Sequence, residues 1–129
     1  MAMFGYALVG SNDLDKAKAF YDALLGSAGM PTMFEHSSGG RVYGNGMGQP
    51  FFAVVAPFDG KPATVGNGSM LSLSLDSPSA VDAFHALALS LGGADEGQPG
   101  LRGAAEYGFY AAYFRDLDGN KFCAFHTGG

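Results

Sequence analysis

The chain has a single cysteine, Cys123, among 129 residues, which excludes an internal disulfide and fits a reducing, cytoplasmic setting. Charge is also scarce. Charged residues make up 15% of the chain and the formal net charge is −5, with no stretch in which Lys and Arg cluster, so a nucleic-acid partner is not expected. The longest apolar runs are strand-length, short of the ~20 residues that a membrane span requires. No membrane partner is expected either. The first residues lack a basic start followed by an apolar run, so no signal peptide is expected. There are three histidines, His36, His85 and His126, and no two of them stand at metal-ligand spacing. Each reads as a surface or packing residue.

What is present in quantity is apolar and aromatic side chain, 47% and 13% of residues, together with 21 glycines. Such a chain forms one domain that buries roughly two-thirds of its unfolded surface. The glycines fall mostly in turns and caps between aromatic runs, and so read as sharp strand connections.

In chain order, residues 4–9 form a short strand and Asp13 is the N-cap of a helix. Leu14, Ala17, Phe20, Tyr21, Leu24 and Leu25 recur at helical spacing, and Gly26 is a natural stop. Strands follow at residues 32–36, 41–44 and 51–56, the first two joined by a turn at 37–40. Residues 69–75 alternate strictly: Leu71, Leu73 and Leu75 fall on one side, Met70, Ser72 and Ser74 on the other. Ser77 then caps a second helix, with Pro78 at its first position, where the missing N–H costs nothing. Its inner stripe is Val81, Phe84, Ala88 and Leu91, and Gly92-Gly93 closes it. Residues 95–108 are Gly-rich, with a short irregular strand near Leu101. The chain ends in a hairpin, 110–114 and 121–126, around Asp118-Gly119-Asn120. Arg115 and Asp118 belong to its turn and read as structural.

The two halves match. An offset of 64 pairs Asp13 with Ser77, Ala17 with Val81, Phe20 with Phe84 and Tyr6 with Met70. Near the end of each half an offset of 71 pairs Gly48 with Gly119, Phe51 with Phe122 and Phe52 with Cys123. This is the signature of a duplicated βαβββ unit: a first copy over residues 1–57, a linker over 58–68 and a second copy over 69–129.

That order resembles the vicinal oxygen chelate superfamily, which includes glyoxalase I, extradiol dioxygenases, fosfomycin resistance proteins and bleomycin resistance proteins. Three motifs carry the resemblance: Asp13-Leu14-Asp15-Lys16-Ala17 with Phe20-Tyr21, Ala80-Val81-Asp82-Ala83-Phe84-His85, and Arg115-Asp116-Leu117-Asp118-Gly119-Asn120. The last is the most specific, with Leu117 where such proteins commonly carry proline. The resemblance implies an α+β fold in which two βαβββ units form curved mixed sheets around a cleft with helices outside, and it implies a homodimer.

In metal-dependent members a His or Glu stands on the first strand of each unit and a Glu or similar ligand on the last. The matching positions here are Tyr6, Phe52, Met70 and Cys123, which cannot assemble the His and carboxylate donors of a hard-metal centre. No metal and no cofactor is expected. Strand parity instead gives a pocket lining for a small-molecule ligand. The Leu71 face must meet the helix, which leaves Met70 and Ser72 facing inward, and the matching strands add Tyr6 and Leu8, Phe52 and Val54, and Cys123 and Phe125. Such an aromatic and thioether lining suits a flat apolar ligand. Arg41, Tyr43, Arg102 and Tyr110 are candidate polar contacts at its mouth, either arginine being able to orient an acidic group. Cys123 has no basic neighbour in sequence and reads as an inert packing thiol.

The leading functional reading is therefore a protein that binds or sequesters a small aromatic or apolar molecule without a metal. Two alternatives stay open: a lyase or dioxygenase using unaligned or non-metal chemistry, with Glu35, Glu106 and the histidines as its spare donors, and a dimeric accessory module with a closed cleft.

Overall fold

The computed structural model describes residues 1–128. The chain divides into two compact units, Met1–Val65 and Gly66–Gly129. In the first, β1 (Tyr6–Gly10), α1 (Leu14–Ser27), β2 (Thr32–Glu35), β3 (Arg41–Gly44) and β4 (Phe51–Val55) build a four-stranded sheet of order β1-β4-β3-β2. Strands β1 and β4 are parallel and the other pairs antiparallel. The second contains β5 (Leu71–Ser74), α2 (Pro78–Ser90), β6 (Ala94–Leu101), a 3₁₀ turn at Ala105–Tyr107, β7 (Tyr110–Arg115) and β8 (Lys121–His126). Its sheet order, β5-β8-β7-β6, repeats the first, with β5 and β8 as the parallel pair. The fold is α+β, two mixed sheets each carrying one helix.

Both helices start where the local chemistry directs. The Asp13 carboxylate accepts from the Lys16 N–H at 3.2 Å, and the Ser77 hydroxyl accepts from the Ala80 N–H at 3.1 Å, each satisfying a backbone donor that the first helical turn leaves free. The end of α1 differs from expectation. Gly26 lies inside the helix, which runs on to Ser27 and stops where Gly29 takes a φ of 79°. The Met30 N–H then closes back on the Leu25 carbonyl at 2.9 Å. Left-handed backbone at the position after the cap is what favours glycine there. In the second unit the irregular strand is longer than expected: β6 covers eight residues, with register shifts between Asp95 and Gly97 and between Gly97 and Gly100.

Each helix packs on one face of its own sheet. Tyr21 of α1 lies 4.9 Å from the Phe52 ring and 6.2 Å from Tyr43, while Phe84 of α2 stands 5.9 Å from Phe114, which stacks on Phe122. Burying rings of this size supplies ~2 kcal/mol or more apiece. The faces turned away from the helices differ between units. In the first, Val42, Ala53 and Val55 make a small cluster with Met33 and Phe51 against it. In the second, that face carries Tyr113, Cys123 and Phe125.

These registers correct the pocket lining read from the sequence. Ala7 pairs with Phe52, and Leu71, which corresponds to Ala7 at the offset of 64, pairs with Phe122. Phe52 therefore corresponds to Phe122, an offset of 70 instead of 71, and both are buried beneath a helix. A one-residue slip moves every side chain to the opposite face. Phe52 and Val54 lie on the helix face, and Phe51, Ala53 and Val55 take the open face beside Tyr6 and Leu8. In the second unit the parity holds: Ser72 pairs with Cys123 and Ser74 with Phe125 on the open face.

Candidate functional site

Three of the four residues proposed as polar contacts are committed elsewhere. Arg41 holds Glu35 through two bonds, Nε to Oε2 at 3.0 Å and Nη2 to Oε1 at 2.7 Å, and reaches Asp22 of α1 with Nη1 at 2.5 Å. It is a clamp between β2, β3 and α1. The same pairing raises the Arg41 pKa, Glu35 being the first cause and Asp22 the second, and lowers that of Glu35. Tyr43 is fully buried and donates to the Asp22 carboxylate at 2.8 Å. Desolvation first, then the Asp22 hydrogen bond, pushes its phenol well above the ordinary range. Tyr110 likewise turns to the helix side and donates to Asp82 of α2 at 2.6 Å. All three were misplaced because long polar side chains near strand ends look alike in sequence whichever face they take.

The histidines and the turn residues are hydrogen-bonded within their own units. His85 is 3% exposed and its Nε2 lies 3.1 Å from Asp95 Oδ1; His36 Nδ1 meets Ser38 Oγ at 2.9 Å, and His126 Nδ1 the Leu75 carbonyl at 2.8 Å. In the β7–β8 turn it is Asp116 that organises the loop. Its buried carboxylate accepts from the Asp118 and Asn120 N–H groups and from the Asn120 side chain, and Arg115 ties the turn to Glu96 and to the Gly119 carbonyl.

What remains on the open faces is a set of rings, small polar groups and two cations. In the first unit Tyr6, 63% exposed, stacks on Phe51 with centroids 4.7 Å apart, and Leu8 stands half exposed next to it. A cavity of about 280 Å³ opens beyond Leu8, lined by Gly10, Val55, Pro57, Asp59 and Ala63. The Asn12 side chain fixes the wall of that cavity by exchanging two hydrogen bonds with the Ala63 backbone. In the second unit Met70 and Ser72 are exposed, Cys123 is buried, and Phe125 stacks on Phe109 at 5.3 Å. Tyr113 sits opposite Cys123 across the β7–β8 pair. Arg102 and Lys121 approach its ring to 5.6 and 5.7 Å. Sequence reasoning missed Phe51, Phe109, Tyr113 and Lys121. The hairpin alternation held the signal for Tyr113 and Lys121, since both share the parity of Cys123 across the turn.

With the registers corrected, the strand positions at which the superfamily's metal ligands would stand are Tyr6 and Ala53 in the first unit and Met70 and Cys123 in the second. A phenol, a methyl, a thioether and a thiol do not fit a hard divalent cation. Burial raises the Cys123 pKa, against smaller lowering effects from the Tyr113 hydrogen bond and the nearby Arg102 and Lys121 charges. No group of three or more His, Cys, Asp or Glu placed to hold a metal ion occurs among the described residues. Nor is any helix among them long and apolar enough to cross a membrane.

A helix laid on one face of a four-stranded mixed sheet, twice in one chain, with rings on the opposite faces, defines a duplicated βαβββ protein. A glyoxalase/bleomycin resistance protein from Albidiferax ferrireducens T118 matches it with a TM-score of 0.85 and 43% identity, over 97% of this chain and 98% of that one. The chain belongs to the glyoxalase/bleomycin resistance protein family. The fold is shared with a glyoxalase-related enzyme from Fulvimarina pelagi (TM-score 0.75, 16% identity, 98% of this chain and 88% of that one). It is also shared with a lactoylglutathione lyase from Agrobacterium tumefaciens (0.67, 18%, 98% and 94%). Neither a protein-family model nor a curated protein matches the sequence.

Proposed function

We propose that this protein binds a small aromatic or apolar molecule on an open sheet face and holds it without the help of a metal, sequestering it instead of transforming it. The carrying observation is the donor set: where the superfamily's metal-dependent members place His and carboxylate, this chain has Tyr6, Ala53, Met70 and Cys123. The surroundings support the same reading. Tyr6 stacked on Phe51, and Phe125 stacked on Phe109, present flat surfaces of the kind that holds planar ligands through offset stacking. Met70 adds a soft, adaptable contact, and Ser72 a hydroxyl.

The proposed working form is a homodimer in the cytoplasm. Side chains as apolar as Tyr6, Leu8 and Met70 stand about half exposed or more, and cover from a second copy or a ligand would remove that area from water. The test is a thermal-shift screen of planar aromatic compounds in chelator-containing buffer. A binder at a hundred times its Kd should stabilise the fold by about 2.7 kcal/mol. Replacement of Tyr6 by Ala should weaken that binder without lowering the unliganded Tm by more than a few degrees. A protein that no aromatic compound stabilises, or one stabilised only after metal is added, would contradict the proposal.

A further inference from the structure

The open face of the second unit carries a feature that an apolar pocket does not need. Arg102 and Lys121 come to the same side chain, the Tyr113 ring, at 5.6 and 5.7 Å. The other arginines of the chain spend their charge on carboxylates: Arg41 on Glu35 and Asp22, Arg115 on Glu96. Among the described residues, neither Arg102 nor Lys121 forms an ion pair. The carboxylates of β6 are engaged elsewhere, Asp95 with Gly97, Gln98 and His85, and Glu96 with Arg115. In a chain of net charge −5, two cations without acidic partners converging on one ring make a local positive field.

The backbone is shaped to seat one of them. Arg102 folds back over β6, its Nη2 donating to the Gln98 carbonyl at 2.6 Å and its Nη1 to the Leu101 carbonyl at 3.4 Å, which leaves three of its five N–H groups for another acceptor. Glycines lie beneath it. A Cβ at Gly97 would stand 2.9 Å from the Tyr113 ring and 3.5 Å from Arg102 Nη2, and one at Gly100 would stand 3.1 Å from Arg102 Nη1. The glycines that make β6 illegible as a strand thus make room for this guanidinium and this ring. Beside them the half-buried Phe125 stacks on Phe109, so cations and an aromatic wall share one face.

We infer that the open face of the second unit selects planar aromatic molecules bearing one anionic group of the carboxylate type, the anion held by Arg102 and Lys121 and the ring laid against Tyr113 and Phe125. The inference rests on the small-molecule binding reading and adds the charge of the ligand to it. A charge-assisted bond to a guanidinium is stronger and more directional than a neutral one.

Two fluorescent probes with the same ring system decide it: 1-anilinonaphthalene-8-sulfonate and its uncharged counterpart N-phenyl-1-naphthylamine, titrated into the full chain, with binding mapped by amide chemical shifts. The sulfonate should bind about fivefold or more tightly than the neutral probe and shift the amides of β7 and β8, and benzoate but not benzamide should displace it. In the double variant Arg102→Gln, Lys121→Gln that preference should vanish. The charge-keeping pair Arg102→Lys, Lys121→Arg should retain it. If the neutralised variant fails to fold, the wild-type protein still answers, because added salt should weaken only the sulfonate. Equal affinity for the two probes, or a preference that survives neutralisation, would overturn the inference and leave small-molecule binding intact. No binding of either probe to the sheet faces would sink both.

Discussion

Tyr43 shows how a side chain that looks like a ligand contact serves the fold. Its ring is sealed against Tyr21 and Phe52, and its hydroxyl donates to Asp22, which also receives Arg41. The folded protein holds this phenol neutral, by desolvation above all and then by the Asp22 bond. A group whose folded pKa lies above its unfolded value contributes stability that is fully present below the unfolded value, about 10 for tyrosine, and lost as pH rises through the folded one. Stability should therefore decline above about pH 10. In Tyr43→Phe that alkaline decline should be smaller, and stability at pH 7 should fall by about 1 kcal/mol for the lost hydrogen bond. Urea unfolding at pH 7 and at several alkaline values reads both. An unchanged alkaline slope would mean that another buried phenol governs it.

Among the elements, the β7–β8 hairpin is the most locally determined. Its turn is organised by Asp116, 5% exposed, whose carboxylate receives hydrogen bonds from the Asp118 and Asn120 N–H groups and from the Asn120 side chain. Asp116→Ala would leave those donors without their acceptor and should cost about 1–3 kcal/mol, read as a lower urea midpoint with an unchanged m value. A midpoint within error of the wild type would show that the turn is held by its glycine and strand pairing alone. This hairpin was legible in sequence because turn chemistry and period-2 alternation lie within 17 residues, Tyr110 to His126. The helix starts were legible for the same reason, each being set by one capping side chain.

Strand β4 was not legible in the same way. Phe51-Phe52-Ala53-Val54-Val55 is apolar on both faces, so alternation carries no information about which face meets the helix. Only the pairing partner decides, and the paired phenylalanines made an offset of 71 look as good as the true 70. Arg41 escaped for a related reason: what fixes its direction is Asp22, 19 residues away on another element. The extent of β6 was hidden by its glycines, which remove the side-chain pattern and sit at the register shifts.

At the scale of the whole molecule, a small acidic chain builds the same βαβββ unit twice and equips the two open faces differently. The first offers a stacked Tyr6–Phe51 pair and a cavity beyond Leu8; the second offers Tyr113, Phe125 and two cations. At the strand positions where metal-dependent members of the superfamily carry their ligands, neither face has His or carboxylate. The absence is chemical, set by residue identity at Tyr6, Ala53, Met70 and Cys123, so it should persist whatever conformations the chain visits.

The most direct measurement is elemental analysis of the protein as purified and after incubation with Ni, Zn, Mn and Fe, expressed as metal per chain after desalting. Occupancy near zero in every case is the result expected of a protein that binds its ligand through rings and charges. Stoichiometric retention of any one of these ions, lost on replacing Cys123 by Ala, would contradict it and make this face a metal site after all.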